Sequence, residues 1–491
     1  MNILKILSLA ALAAAACTAG AEEEKKFSYD DFKYTICVGN GDYSKEIQER
    51  ILKIIKDGYS INGQCINEGM FAAVVRRTGS PEFISELLKN GADPDLIGKN
   101  GMTARMVAVS SKKAEIAAPL LSGNFDPGAR NKKGDTLLMM AFDNEDREIA
   151  RRILQTVIPA GVVNEKGADG NSVLMRIAKG IISYDESVVQ RLAALGADFN
   201  QISADGLPLI QESLLRKGTV RYDGKSFENY VKNGADINLA NSSGENILHF
   251  MSHYHLNSYL IDYLFGLKPD INARDRYGNT PLLALFVNSD GKKEGDTRSY
   301  MQKLIKAGAD VNAVNNDGMS VVIAFLIFCA DHGLSIDLID DLAKAGAKLD
   351  VRSPDGHGVL YYAAISKQRS STAEILIKAN PDINEKDPDT GMTVLMLSIL
   401  AENYDFAEKI IKAGADVNIA DREGRTPLMA LAFHYPNESL AKKLLQAGAD
   451  LNAVDKKGRR AFDYLEESFY ADSEKKEEQI SRLRKLFLEE Q

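Results

Sequence analysis

The sequence predicts an all-α repeat solenoid, built from stacked helix-turn-helix units joined by hairpin-like loops. Three observations lead there. A Gly-Ala-Asp-apolar-Asn unit recurs at 196–200, 234–238, 308–312, 414–418 and 448–452. Weaker copies fill the gaps, so its last position falls on Asn62, Asp95, Gly128, Asn164, Asn200, Asn238, Asn272, Asn312, Asp350, Asn384, Asn418 and Asn452, at intervals of 33 to 40 residues. Six residues after most of these landmarks stands a Gly, followed by a segment such as Asn279-Thr280-Pro281-Leu282-Leu283 or Arg425-Thr426-Pro427-Leu428-Met429. Two signals that keep phase over such a period mark a repeat architecture, in which no unit buries its apolar face alone.

Each unit reads in order as loop, helix, helix. Thr before Pro starts the first helix, because the hydroxyl accepts from free N–H groups of the first turn and Pro is tolerated there. After a brief break a second, amphipathic helix follows, with Phe406, Ile410 and Ile411 at helical spacing. Lys412-Ala413-Gly414 closes it, since Gly enters the left-handed conformation without steric cost. The polar, turn-rich run from Ile419 to Glu423 then suits an exposed hairpin-like loop.

With these elements in place the chain resembles the ankyrin-repeat family, whose unit of about 33 residues opens its first helix with Thr-Pro-Leu-His. The resemblance covers about residues 58–491 in twelve units, and a helix expected at 45–57 looks like half a unit. The expected organisation is a signal peptide at 1–21, an N-terminal extension at 22–44 and an ankyrin-repeat array at 45–491, about twelve units plus an N-terminal capping helix. Departures from the family pattern exist. The full Thr-Pro occurs only at Thr280-Pro281 and Thr426-Pro427, and the His position is kept only at His249, with Met139, Leu283 and Met429 elsewhere. Two units carry insertions between their helices, Ser289 to Asp296 and Gly218 to Lys225.

Charge and targeting bound the function. The 60 basic and 69 acidic residues give −9, the wrong sign for neutralising nucleic-acid phosphates, so no nucleic-acid partner is expected. Residues 1–21 hold Lys5, the apolar run Ile6 to Ala16 and the small residues Ala19-Gly20-Ala21, a signal-peptide pattern that takes the protein out of the cytoplasm. The periplasm or the exterior is the expected destination. Ala14-Ala15-Ala16-Cys17 also resembles a bacterial lipoprotein box, which would lipidate Cys17 and anchor the chain at the envelope membrane. The four Cys are too few for a disulfide scaffold and lack paired zinc spacing. Export nevertheless permits a disulfide, and Cys37 and Cys65 are the natural pair; two free thiols packed as small apolar groups are the alternative. Cys329, inside an apolar run, is expected to be buried.

No catalytic motif emerges, and no cofactor is expected. Gly224-Lys225-Ser226 ends like a phosphate-binding loop, but Thr219 stands where the leading Gly is required and no strand is expected before it. His249, His253 and His255 form the densest cluster of potential ligands, and the first two, four apart on a helix, could share a metal. No carboxylate or Cys has the matching spacing, and His249 occupies the family's structural His position, so a metal-binding protein is only a remote alternative. The apolar run Val321 to Ala330 fits a helix covered on both sides, or a helix adding to an exposed apolar patch on the concave face. The resemblance implies partner contacts two, four, five and seven residues after each landmark. Because aromatic and Arg side chains dominate binding hot spots, Arg274, Arg276, Tyr277, Met319, His357 and Arg425 are the partner-binding candidates. The expected function is that of an exported scaffold binding another protein through its concave face and hairpin tips, without catalysis. The alternative is a secreted, effector-like protein that binds a host or competitor protein.

Overall fold

The computed structural model describes residues 29–38, 42–111, 113–144, 147–159, 161–180, 186–216, 219–220, 224–253, 258–287, 294–332, 338–366, 373–379, 382–434, 437–466 and 474–489. The expected signal segment 1–21 with Cys17, the residues 22–28, His255, and 217–218, 221–223 and 288–293 of the two insertions lie outside these residues.

Among the described residues, helices follow one another in pairs, and the chain divides into two compact units. In the first, residues to Ile177 together with Ile181–Asp198, one member of each pair builds an inner row and the other an outer row. The inner row runs Tyr29–Cys37, Met70–Arg77, Ala104–Ser110, Leu137–Phe142, each packed on the next. The outer row runs Lys45–Lys56, Pro81–Lys89, Ala114–Ala117, Arg147–Leu154, Glu186–Ala194. In the second unit, Ala178–Gly180 with Phe199–Gln491, an inner row runs Ile247–His253, Pro281–Val287, Val321–His332, Val359–Ile365, Val394–Leu400, Pro427–His434 and Ala461–Glu466. Its outer helices Ala373–Ala379, Tyr404–Lys412, Glu438–Gln446 and Glu474–Glu489 stack likewise.

Three boundaries differ from the sequence reading. Residues 29–37, expected within an extension, form an inner-row helix that fully buries Phe32 and Ile36, four residues apart on one face, so the helix at 45–56 is half of a complete pair. The insertion near Gly218 holds a two-stranded antiparallel ribbon pairing Leu215 with Val220 and Arg216 with Thr219. A strand therefore does precede Gly224, and the β-branched Thr219 and Val220 favour it. The helix Glu294–Lys306 begins inside the second expected insertion.

The recurring motif is explained by contacts between repeats. Gly308 and Gly414 adopt φ of 95° and 94°, conformations that end the preceding helices. Asp310 Oδ1 then accepts from the Asn312 N–H at 2.9 Å and tightens the turn. The landmark Asn reaches forward to the following copy. Asn272 Oδ1 accepts from the Asp310 N–H at 2.8 Å, and its Nδ2 donates to the Gly308 carbonyl at 3.1 Å. Asn62, Asn164, Asn200, Asn312 and Asn418 make the same two bonds. Changing Asn418 to Ala, which removes two bonds of 2.8 Å to Gly448 and Asp450, is expected to lower stability by about 1–2 kcal/mol in urea unfolding. An unchanged midpoint and slope would show that this clip contributes nothing.

Thr280 and Thr426 are buried and their hydroxyls accept from the N–H groups of Leu283 and Met429, as helix caps do. Cys37, at the end of the first described helix, is joined to Cys65, in the loop before the next inner helix, with their Cα atoms 5.3 Å apart. Cys329 is buried at 1% exposure.

Candidate partner-binding site

Seven of the twelve landmarks are followed three residues later by an Asp or Asn, and that residue organises the hairpin tip. Asp275 Oδ1 accepts from the N–H groups of Tyr277 and Asn279, both at 2.8 Å, while its own N–H donates to the Asn279 carbonyl at 3.0 Å. Asn131, Asn241, Asn315, Asp421 and Asp455 do the same in their tips. Neighbouring tips are joined through backbone: Arg276 N–H donates to Ser243 O at 3.0 Å and Asn316 N–H to Tyr277 O at 2.9 Å. This approach needs Gly278, where a Cβ would lie 2.5 Å from Asn316 Oδ1. The tips thus form a hydrogen-bonded ledge whose backbone geometry does not depend on which side chains project from it.

Asp455 shows how strongly the tip electrostatics are set. Burial alone would raise its pKa, but the Arg459 N–H, the Tyr464 hydroxyl at 2.7 Å and the Arg459 guanidinium outweigh it and hold the carboxyl well below the usual carboxylate range. Tyr464 is pushed up to about 12, chiefly by burial and then by that carboxylate.

The six candidates separate on this ledge. Tyr277 is 49% exposed at its tip, with the Arg276 guanidinium 4.7 Å from its ring centroid and donating to its hydroxyl at 2.7 Å. Met319 is half-buried. Arg274 donates instead to the Gly278 and Val314 carbonyls at 2.9 and 2.8 Å, bracing two tips. Arg425 is paired at 2.7 Å with the fully buried carboxylate of its own turn residue, Asp421. The His357 side chain is only 12% exposed, stacked 4.0 Å from Tyr361 and edge-on to Tyr362, with Nδ1 3.5 Å from Asp387 Oδ2. Three of the six are therefore held within the scaffold, because carbonyls, a buried carboxylate or aromatic rings lie within reach of their side chains.

The histidines also separate. His249 is fully buried, with Nδ1 2.8 Å from Asn246 Oδ1 and Nε2 2.9 Å from the Asn279 carbonyl. His253 Nε2 pairs with Glu245 at 2.9 Å. Among the described residues, no three His, Cys, Asp or Glu side chains are grouped to hold a metal ion. No described helix is long and apolar enough to cross a membrane. One recurring position went unread in the sequence, the turn-forming Asp or Asn three residues after the landmark, as did the recurrence of an acid at the contact position five residues after it, in Asp317, Asp355, Asp389 and Glu423. Their signal was recurrence in register with the landmark.

The family model describing ankyrin repeats matches three times, at residues 70–160, 326–421 and 360–455. Ankyrin repeat and SOCS box protein 6 is similar over 115 residues, 34% identical in Pongo abelii and 36% in Homo sapiens, a stretch that is 23% of this chain and 27% of each relative. The chain thus matches about a quarter of the length of these curated relatives. Among solved structures, the human ASB11 ankyrin repeat domain aligns at 21% identity over 48% of this chain and 98% of that one, with a TM-score of 0.37. The ankyrin repeat domain of Bcl-3, described as a unique member of the IkappaB protein family, aligns at 20% over 48% and 97%, with a TM-score of 0.36. Ankyrin-repeat proteins are generally non-catalytic scaffolds that bind protein partners. Residues 70–160 and 326–455 of this chain match as ankyrin repeats.

Proposed function

We propose that the chain is an exported, non-enzymatic scaffold that binds another protein through its hairpin tips and the adjoining face of its inner helices. The observation that carries the binding reading is the Arg276–Tyr277 tip. An exposed ring is held in place by its own guanidinium neighbour, so an aromatic and an Arg, the two side-chain types richest in hot spots, are presented at little cost in side-chain entropy. The signal-like segment 1–21 supports export, as does a Cys37–Cys65 bridge, a bond that persists in oxidising compartments. Crosslinking with mass spectrometry in the native envelope tests both compartment and partner. Changing Arg276 and Tyr277 together to Ala is then expected to weaken capture of that partner by about a hundredfold, from roughly 2–3 kcal/mol at the anchor, with an unchanged melting curve. Unaltered capture would reject the anchor, and recovery of the chain in the cytoplasm alone would reject export.

A further inference from the structure

In the second compact unit, one position on five successive inner helices is apolar and left partly exposed. It is the seventh residue after the helix-cap position: Val287, Ile327, Ile365, Leu400 and Phe433, counted from Thr280, Ser320, Gly358, Thr393 and Thr426. The rest of Pro281–Val287 is buried, as is the rest of Val321 to Cys329, so this stripe is what those helices leave uncovered. Of the apolar run expected at 321–330, residues 321–329 are core except for Ile327.

The same position in earlier repeats shows what it faces. Lys179 occupies it and pairs at 2.5 Å with Asp205, the residue five after the landmark in the following tip. His253 occupies it and pairs with Glu245 of its own tip. The stripe therefore lies beside the tips. In the four tips that follow the first four stripe residues, Asp317, Asp355, Asp389 and Glu423 stand where Asp205 stands, but Val287, Ile327, Ile365 and Leu400 replace the lysine. All four acids are exposed, and none has an ion pair among the described residues. Three cations of these tips are engaged elsewhere: Arg352 with Glu385, Lys386 with the Ala420 carbonyl and Arg422 with the Pro388 carbonyl.

Stacked helices lie roughly 8–10 Å apart, so the four carboxylates repeat at about that interval over some 25–30 Å. In an α-helix, residues seven apart share a face and are separated by about 10.5 Å. We propose that this surface binds an amphipathic, basic helix of the protein partner, with Lys or Arg at every seventh residue along the acidic rim and its apolar side on Ile327, Ile365, Leu400 and Phe433. The assignment rests on the scaffold reading above and adds the chemistry of the occupant.

The test uses the full chain and a labelled helical peptide of about 25 residues with Lys at every seventh residue, an apolar stripe beside it and Ala elsewhere, compared with the same peptide carrying Glu for Lys. Fluorescence anisotropy should show binding of the Lys peptide and none of the Glu peptide. Binding should weaken tenfold or more in high salt and in the variant Asp317→Asn/Asp355→Asn/Asp389→Asn/Glu423→Gln, whose substitutions are all exposed. Changing Ile365 to Ser should weaken it without altering the salt dependence. Failure of the Lys peptide to bind, equal binding of the two peptides, or full binding by the neutralised variant each overturns the proposal. A crosslinked partner that depends on Arg276 and Tyr277 but docks an acidic or extended segment would overturn it while leaving the scaffold function intact.

Discussion

Changing His249 to Ala is expected to lower the unfolding free energy by about 3–4 kcal/mol. Two losses combine. The ring is fully buried between repeats, so truncation leaves a cavity that neighbouring helices, packed on both sides, cannot collapse into. It also removes one of two partners of the buried Asn279 carbonyl, 2.9 Å from Nε2, leaving only the Asp275 N–H at 3.0 Å. Asn279 is itself buried and tied by its side chain to Asp275 and Asn315, so the damage reaches two successive tips. Gln, which keeps a donor, should recover part of the loss. Urea unfolding decides it: a loss below about 1 kcal/mol would show the ring to be filler.

A pH series separates the ring's chemistry from its volume. Burial is the larger influence and lowers the His249 pKa below 6.5, against the Asn279 carbonyl and the carboxylates of Asp275 and Glu245, which raise it. The folded pKa is then depressed relative to the unfolded chain. The contribution is complete above about pH 6.5 and is lost as pH falls toward the folded pKa, since the unfolded chain takes up the proton first. The gap between the parent protein and the Ala variant should therefore narrow from about pH 7 to pH 5. A gap that widens would mean the ring is held as imidazolium between its two oxygen neighbours.

The fold was legible where geometry recurs locally. Gly-Ala-Asp-apolar-Asn marks a helix end and a turn, both built from neighbours in sequence, so the period and the pair of helices per repeat could be read off. The forward bonds of the landmark Asn span about 30 residues, and nothing in a single repeat reveals them. The helix at 29–37 was missed because it precedes the first landmark and rests on two buried residues, Phe32 and Ile36. At the tips, the family pattern pointed to the right positions but not to the fate of each side chain. Tyr277 projects, with the Arg276 guanidinium over its ring. Arg274 and Arg425 are drawn back by the Val314 carbonyl and the Asp421 carboxylate, groups supplied by the fold. The acidic rim was invisible for a different reason: an unpaired Asp gains meaning only when the residue across from it is known, and that residue lies in the preceding repeat.

Changing Cys37 and Cys65 together to Ser is expected to cost about 3–4 kcal/mol on the loop-entropy account for a crosslink closing 28 residues. The loss should be local. Stability in a repeat stack is a sum of repeat and interface contributions, so a constraint at one end acts on the pair it holds. Tyr29–Cys37 has a neighbour on only one described side, Met70–Arg77, and its fully buried side chains are Phe32 and Ile36. The bridge ties its last turn to the loop before that neighbour, limiting how far the pair can separate. Hydrogen exchange should accordingly show loss of protection over 29–57, with the helices from Pro281 onward unchanged. A reductant on the parent protein should reproduce the effect and do nothing further to the double variant. If the reductant leaves protection over 29–57 untouched, packing alone holds the pair and the bridge has no stabilising part in it; if protection falls throughout, the first pair is instead the nucleus on which the later repeats depend.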